Sequence, residues 1–335
     1  MNYSQSVLNG DRLLLARLLT QVENDSPESR AALIELFPHT GKAHLIGVTG
    51  APGTGKSSLV NQLALHFRKI QNKRVAIIAV DPSSPFTGGA VLGDRVRMRD
   101  LSGDTGVFIR SMATRGSLGG LAQSTANMSQ VFDAAGFDIV IIETVGAGQS
   151  EVDVARLAHT TLVVEAPGLG DDIQAIKAGI LEVADILVIN KSDRPGVENT
   201  EKALKSMLDL AHPTERVFQH HGQLMRTSAP KQDSPSAPMW IPPIVRTVAT
   251  EGKGIAELAE SIAGHVAHLT QSGDWAVRDR ARLEVELDAL IRETLVNRFR
   301  ENVPQKQVDD ALERIIQREL SPWEAVKSLM NGGYK

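Results

Sequence analysis

Residues 45–57 read Leu45-Ile46-Gly47-Val48-Thr49-Gly50-Ala51-Pro52-Gly53-Thr54-Gly55-Lys56-Ser57. An apolar, strand-like run leads into a loop of the pattern G-x-x-x-x-G-K-S, and apolar residues at helical spacing follow it. A strand, this loop and a helix in that order are typical of a P-loop that binds a nucleoside triphosphate. The glycines allow the backbone N–H groups to turn towards the phosphates. We expect residues 50–58, Gly50 to Ser58, to contact the nucleotide: Gly50, Ala51, Pro52, Gly53, Thr54, Gly55, Lys56, Ser57 and Ser58.

Two side chains of this loop carry its predicted chemistry. Lys56 supplies a positive charge for the β- and γ-phosphates, and the Ser57 hydroxyl is placed to ligate Mg²⁺. Lys56 is therefore the first candidate catalytic residue.

The composition excludes several classes of protein. The 335 residues carry a net charge of −4 and 42% hydrophobic residues. This balance predicts a soluble protein without general attraction to nucleic acid or to an anionic membrane. The chain contains no cysteine, which excludes disulfides, thiolate catalysis and Cys-ligated zinc. Without an apolar run of membrane-spanning length or a signal-peptide pattern, we expect a cytoplasmic location.

Alternating patterns predict a doubly wound, mostly parallel α/β sheet. We expect an N-terminal helical extension over 1–43, a P-loop domain over 44–272, and a C-terminal helical arm over 273–335. Residues 212–243 are polar and predict a long loop or a partly disordered insertion. Seven runs are strand-like: His44–Thr49, Arg74–Val80, Val107–Arg110, Asp138–Glu143, Thr161–Glu165, Asp185–Asn190 and Ile244–Val248.

Acidic residues follow two of these apolar runs. Asp81 and Glu143 each lie where a predicted strand ends, and Asp94 lies in a glycine-rich stretch between them. In such sheets ligands bind beyond the carboxyl ends of the strands. Carboxylates there, together with phosphate oxygens, suit Mg²⁺. We therefore expect Ser57, Asp81, Asp94 and Glu143 to surround a Mg²⁺ ion, with Glu143 and Asp94 assisting catalysis.

A base-reading motif closes the predicted sixth strand. Residues 190–193 read Asn190-Lys191-Ser192-Asp193. The carboxylate of Asp193 can accept hydrogen bonds from the ring N–H and the exocyclic amine of guanine, whereas adenine offers the opposite pattern at that edge. Downstream of a P-loop, this quartet predicts GTP and GDP as ligands. A further base contact is expected from the loop that holds Ala249.

Beyond single motifs, four segments occur in a characteristic order: 79–84, 88–94, 143–151 and 170–177. This ordered set resembles the MeaB/ArgK family, the GTPases that attend adenosylcobalamin-dependent acyl-CoA mutases. The resemblance covers roughly residues 10–300 and implies a P-loop GTPase of the SIMIBI class that forms homodimers through its C-terminal arm.

Roles for individual residues follow from the resemblance. It implies a first switch around residues 81–97, a second over Glu143–Glu151, and a third over Ala166–Lys177 that contacts the mutase. The residues expected to sense the partner are Gln149, Asp171, Asp172, Gln174 and Lys177. In this family GTP binding and hydrolysis gate cofactor delivery to the mutase and protect or rescue it.

Several alternatives remain open at this stage. The partner could be methylmalonyl-CoA mutase or a related 2-hydroxyisobutyryl-CoA or isobutyryl-CoA mutase. A metal-insertion GTPase of the same superclass would need a metal-binding cluster, for which His220-His221 is the only paired histidine motif. A small-molecule kinase would prefer ATP, against which the guanine-reading quartet argues.

Overall fold

The protein is represented by a computed structural model, which describes residues 2–82, 98–101, 103–114, 120–144, 150–168, 183–211, 216–220, 223–227 and 239–330. Its centre is a seven-stranded sheet in the order β3-β2-β4-β1-β5-β6-β9, with every pair of neighbouring strands parallel. The predicted doubly wound α/β fold is therefore confirmed. The strands are β1 His44–Thr49, β2 Val75–Pro82, β3 Val107–Thr114, β4 Ile139–Thr144, β5 Thr160–Glu165, β6 Ile186–Ile189, β7 Arg216–His220, β8 Gln223–Thr227 and β9 Ile244–Arg246.

Eleven α-helices are present among the residues that the structure describes. They are α1 Tyr3–Leu8, α2 Arg12–Glu23, α3 Pro27–Leu36, α4 Lys56–Lys69, α5 Gly120–Ala134, α6 Ser150–Leu157, α7 Val197–Ala211, α8 Ile255–Ser272, α9 Asp274–Asn302, α10 Gln305–Ile316 and α11 Pro322–Met330. Capping residues begin α2 and α3. The Asp11 carboxylate accepts hydrogen bonds from the N–H groups of Leu13 and Leu14, and the Ser26 hydroxyl accepts one from Ser29. Such caps satisfy N–H groups that have no partner within the helix.

The sheet is buried on both faces, as continuous Val/Ile/Leu strands predict. One apolar cluster joins α4 and α8 to one face through residues such as Leu63 and Leu258. A second cluster joins α1–α3 and α5 to the other face, with Leu18 and Phe132 fully buried. The N-terminal helices thus complete the core of the sheet. Burial of each large side chain contributes about 1.5–3 kcal/mol.

Polar contacts strengthen the attachment of these helices. Arg12 donates hydrogen bonds to the carbonyl oxygens of Thr105 and Val107 beside the edge strand β3. Arg110 of the same strand forms an ion pair with Glu23 at 2.5 Å. The edge of the sheet at β3 is therefore covered by the N-terminal segment.

One prediction about the chain between α7 and β9 was wrong in part. Residues 212–243 were expected to form a long loop, but β7 and β8 form an antiparallel pair within them. The segment is polar, and apolar and polar residues do not alternate clearly enough in its two short strands to predict them.

Two compact units divide the chain, Met1–Asp279 and Arg280–Lys335. In the second unit Ala311, Ala325 and Leu329 form a small core. The helix α11 begins at a capping box, because Ser321 and Glu324 exchange hydrogen bonds between side chain and backbone. Within the described parts of the chain, no helix is long and apolar enough to cross a membrane.

Candidate functional site

The candidate site lies at the carboxyl ends of β1, β4, β5 and β6. The P-loop follows β1, Glu143 lies near the end of β4, and Asn190 follows β6 directly. Because β1 is hydrogen-bonded to both β4 and β5, and β5 to β6, these residues meet along one edge of the sheet. This is the edge at which parallel α/β sheets bind ligands.

The P-loop backbone depends on its glycines. Gly50, Gly53 and Gly55 all have positive φ, at 134°, 82° and 91°. A Cβ atom on Gly50 would lie 2.1 Å from the carbonyl oxygen of Val164, and one on Gly55 would lie 2.5 Å from the amide nitrogen of Asn190. Only glycine combines this conformation with such close approach. The loop therefore turns tightly against β5 and the Asn190 side chain before α4 begins at Lys56.

Lys56 is held inside the loop that it completes. Its Nζ atom donates to the carbonyl oxygens of Gly50 at 2.7 Å and Ala51 at 3.0 Å, and the residue is only 6% exposed. The ammonium group is thus already positioned at the amino end of α4, where the helix dipole also favours anions. This arrangement suits the binding of a phosphate chain.

Oxygen ligands for a metal ion meet beside Lys56. The Ser57 hydroxyl donates a hydrogen bond to Oε1 of Glu143 at 2.6 Å, and Glu143 is 1% exposed. Hydroxyl and carboxylate oxygens next to a phosphate site are the donor set that Mg²⁺ prefers. Ser57 and Glu143 therefore fit the Mg²⁺ ion that the sequence predicts. The hydrogen bond between them was not predicted.

Other predicted metal and switch residues can be placed only by their position in the chain. Asp81 is the last residue but one of strand β2, which lies next to β4, and its backbone pairs with that of Ala113 in β3. Asp94, Gln149, Asp171, Asp172, Gln174 and Lys177 lie outside the described residues. Their roles remain predictions. Among the described residues, no group of three or more His, Asp or Glu side chains is arranged to hold a metal ion.

Asn190 joins the P-loop to the predicted base-binding loop. Its amide nitrogen donates to the carbonyl oxygen of Thr54 at 2.8 Å, while its Oδ1 accepts from the Thr247 hydroxyl and the Ala249 N–H, both at 3.1 Å. Asn190 is 1% exposed, so each of these bonds is shielded from water. The side chain therefore fixes the distance between the loop that holds phosphates and the loop that follows β9.

The other residues of the 190–193 quartet are less buried than Asn190. Lys191 adopts a positive φ of 55° and donates from Nζ to the carbonyl oxygen of Gly53 at 2.5 Å. Asp193 is exposed, as a carboxylate that reads a base must be before the base binds. The hydrogen bond that Lys253 donates to Glu251, and to a lesser degree the charge of Asp193, raise the pKa of Lys253. Lys253 therefore lies within electrostatic reach of the carboxylate that is predicted to read the base.

Thr247 is a site residue that the sequence did not single out. It is fully buried, bonds Asn190 through its hydroxyl, and accepts the Ser192 N–H on its carbonyl oxygen. Its position two residues before Ala249 was the only available signal. A buried threonine at the end of a strand is more commonly a packing residue, so the sequence alone could not assign it.

Similar proteins are known for most of the chain. Residues 15–304 match the family profile described as "Methylmalonyl Co-A mutase-associated GTPase MeaB". A Pyrococcus abyssi protein, provisionally named a GTPase, is 42% identical over 97% of this chain and 95% of its own length. The mouse protein named "Methylmalonic aciduria type A homolog, mitochondrial" is 31% identical over 97% of this chain and 77% of its own length.

A solved structure extends the comparison to the fold. The crystal structure titled "LAO/AO transport system kinase" superimposes with a TM-score of 0.68 at 27% identity, covering 98% of this chain and 95% of that one. The likeness therefore includes the helical additions as well as the sheet.

Proposed function

The chain belongs to the MeaB family of methylmalonyl-CoA mutase-associated GTPases, and we propose that its GTPase cycle serves an adenosylcobalamin-dependent acyl-CoA mutase. In this role GTP binding and hydrolysis gate the loading of adenosylcobalamin and the protection or reactivation of the mutase. Methylmalonyl-CoA mutase is the partner that the family name supports. A 2-hydroxyisobutyryl-CoA or isobutyryl-CoA mutase is a related candidate.

One observation carries the nucleotide part of the proposal. Asn190 binds the P-loop carbonyl of Thr54 and the backbone N–H of Ala249 with the same side chain. A protein that only held phosphates would not need this link. The link through Asn190 supports a site in which binding of the guanine base and binding of the phosphates are coupled.

The residues of the site suggest how hydrolysis proceeds. Lys56 exchanges its carbonyl contacts for the β- and γ-phosphates, while the P-loop N–H groups surround the same oxygens. Water attacks the γ-phosphorus in line as the bond to the β–γ bridging oxygen breaks, which releases GDP and phosphate. Ser57 and Glu143, with Asp81 and Asp94, would hold a Mg²⁺ ion, which would neutralise negative charge at the phosphates. Catalysis rests mainly on positioning and electrostatics.

The remaining parts of the proposal concern the assembly. The exposed leucines of α9, among them Leu287 and Leu295, are 60% and 57% accessible in the single chain. They support a homodimer formed through this helix. We also propose a cytoplasmic location, and a third switch in which Asp171, Asp172, Gln174 and Lys177, together with Gln149 of the second switch, sense the mutase.

Two experiments test these proposals separately. Lys56→Ala should abolish measurable GTP turnover, whereas Lys69→Ala, an exposed lysine at the other end of α4, should retain it. Equal turnover in both variants would contradict the assigned site.

The partner is tested by affinity purification from the native cell with a non-hydrolysable GTP analogue. Enrichment of an adenosylcobalamin enzyme with the wild-type chain, and its loss with Lys56→Ala, is the expected result. If no such enzyme is enriched, the mutase role is wrong even where GTP turnover is normal.

A further inference from the structure

A second cluster of polar side chains, most of them buried, lies at the amino ends of the strands, opposite the nucleotide loop. It contains three histidines, His44, His159 and His265, with Thr160 and Asp185. His159, Thr160, Asp185 and His265 are each no more than 5% exposed. None of them belongs to the GTPase site, and the first turn of α9 lies directly on them.

The protonation of His159 is determined by its contacts. Its Nδ1 accepts a hydrogen bond from the backbone N–H of Leu45 at 3.0 Å, so Nδ1 carries no proton. The proton is therefore on Nε2, which lies 2.9 Å from Oδ1 of Asp279 in α9. A second proton on this ring would have to displace the Leu45 N–H. In this arrangement His159 can only be neutral.

His44 belongs to a neighbouring chain of hydrogen bonds. Its Nε2 lies 2.8 Å from the Thr160 hydroxyl, which lies 2.9 Å from Nδ1 of His265. Burial, followed by the interactions with the neighbouring imidazoles of His159 and His265, lowers the pKa of His44 to about 3. His44 is thus also held neutral.

Asp185 anchors the far end of this chain. It lies 3.3 Å from Nε2 of His265 and accepts two hydrogen bonds from Arg278 of α9, at 2.7 and 2.8 Å. Burial raises the pKa of Asp185. The contacts with His265 and Arg278 lower it by a larger amount, so the net pKa lies below its usual value. This carboxylate stays charged and holds Arg278.

Trp275 covers both neutral imidazoles. Its ring stacks on His159 with the centroids 4.2 Å apart and lies 5.7 Å from that of His44. Arg278, one turn later on the same helix, also donates to the carbonyl oxygen of His159 at 2.8 Å. The first turn of α9 therefore keeps water from the two rings, and its removal would allow both to take up protons.

We propose that the first turn of α9, residues 274–279, is an acid-sensitive latch that closes over His44 and His159 only while both imidazoles are neutral. Protonation of the two rings releases this turn from the amino edge of the sheet. This inference is independent of the mutase role. It concerns a different edge of the sheet from the nucleotide site.

The charged and titratable groups around the latch come from five parts of the fold. His44 lies on β1, His159 precedes β5, and Asp185 precedes β6. His265 and His268 lie on α8, and Asp274, Arg278 and Asp279 lie on α9, with His268 3.9 Å from Asp274. The two carboxylates of α9 favour protonated histidine, but Arg278 opposes it. Release is driven by His159, which must lose the hydrogen bond from the Leu45 N–H before it can be charged, and by His44, whose burial opposes a charge.

Tryptophan fluorescence reports directly on this movement. In the full-length variant Trp240→Phe/Trp323→Phe, Trp275 is the only tryptophan, since the chain has three. Between pH 7.5 and 5 its emission should shift to longer wavelength and become more accessible to acrylamide. With two protons taken up, the ratio of open to closed forms should rise by up to about 100-fold per pH unit. The midpoint should not change over a tenfold range of protein concentration.

The matched control is His44→Gln/His159→Gln in the same background. Glutamine can donate and accept hydrogen bonds at these positions but does not titrate, so the emission of Trp275 should become nearly independent of pH. An identical transition in this variant, or no transition in the parent down to pH 5, would overturn the proposal.

Hydrogen exchange of the unmodified chain gives a second measurement, which decides the matter if the glutamine variant does not fold. After correction for the intrinsic effect of pH, residues 274–279 should lose protection at pH 5 relative to the buried strand Ile186–Ile189. Equal changes in the two segments would mean that no latch exists.

Discussion

Replacement of Asn190 by alanine is the sharpest test of how the nucleotide site is built. The substitution removes three buried hydrogen bonds at once, to Thr54, Thr247 and Ala249. It leaves the Thr54 carbonyl and the Ala249 N–H without this partner in a region where Asn190 itself is only 1% exposed. The P-loop and the loop after β9 would then no longer be tied to each other.

The expected loss in the free energy of unfolding follows from the number of hydrogen bonds removed. At about 1 kcal/mol of net stability for each hydrogen bond, Asn190→Ala should lower the free energy of unfolding by about 3 kcal/mol. Thr247→Val removes one of the three bonds and should cost about 1 kcal/mol. Because the Thr247 bond is already lost in Asn190→Ala, the double variant should lose about 3 rather than 4 kcal/mol, a coupling of about 1 kcal/mol.

Urea unfolding and GDP titration by calorimetry together measure these effects. GDP affinity should fall at least about tenfold in Asn190→Ala, equivalent to about 1.4 kcal/mol. Thr200→Val is the control, because Thr200 is a buried threonine of α7 that bonds only Gly196 in the described contacts. It should leave GDP affinity unchanged. Strict additivity in the double variant, or unchanged GDP affinity in Asn190→Ala, would refute the bridging role.

Three further predictions concern base recognition, the loop backbone and pH. Asp193→Asn should shift preference from GTP towards XTP, because an amide can donate to the 2-oxo group of xanthine; competition binding measures this, and retained GTP preference would contradict the assignment. Gly50→Ala should cost at least about 1–3 kcal/mol in urea unfolding, because the new Cβ would meet the Val164 carbonyl 2.1 Å away at a strained φ. Since burial first of all lowers the pKa of His44 to about 3, the unfolded state binds the extra proton below pH 6.5. Stability should therefore fall with decreasing pH by up to about 1.4 kcal/mol per pH unit from this residue, and His44→Gln should flatten the dependence in thermal unfolding.

Much of the fold was predictable because its signals are local. All seven predicted strands are present, with ends that differ by a few residues, such as β3, which continues to Thr114 instead of ending at Arg110. The β7–β8 pair was missed because its polar strands carry no clear periodicity. The helix α1, Tyr3–Leu8, lies within the predicted helical extension over 1–43 but was not predicted as a separate helix, because six residues give too short a pattern.

The sequence by itself determined that a P-loop is present, because the glycines and Lys56 follow its spacing, and it predicted that Asn190 and Asp193 read a guanine. Only the tertiary structure decided which of these groups touch. The bond from Ser57 to Glu143 and the bridge from Asn190 to Thr54 join residues 86 and 136 positions apart. Strand order sets such contacts, and it depends on how the whole sheet packs. Thr247 and the histidine cluster under Trp275 could not be predicted from the sequence for the same reason. Ordinary residues acquire a role there through burial beside one another.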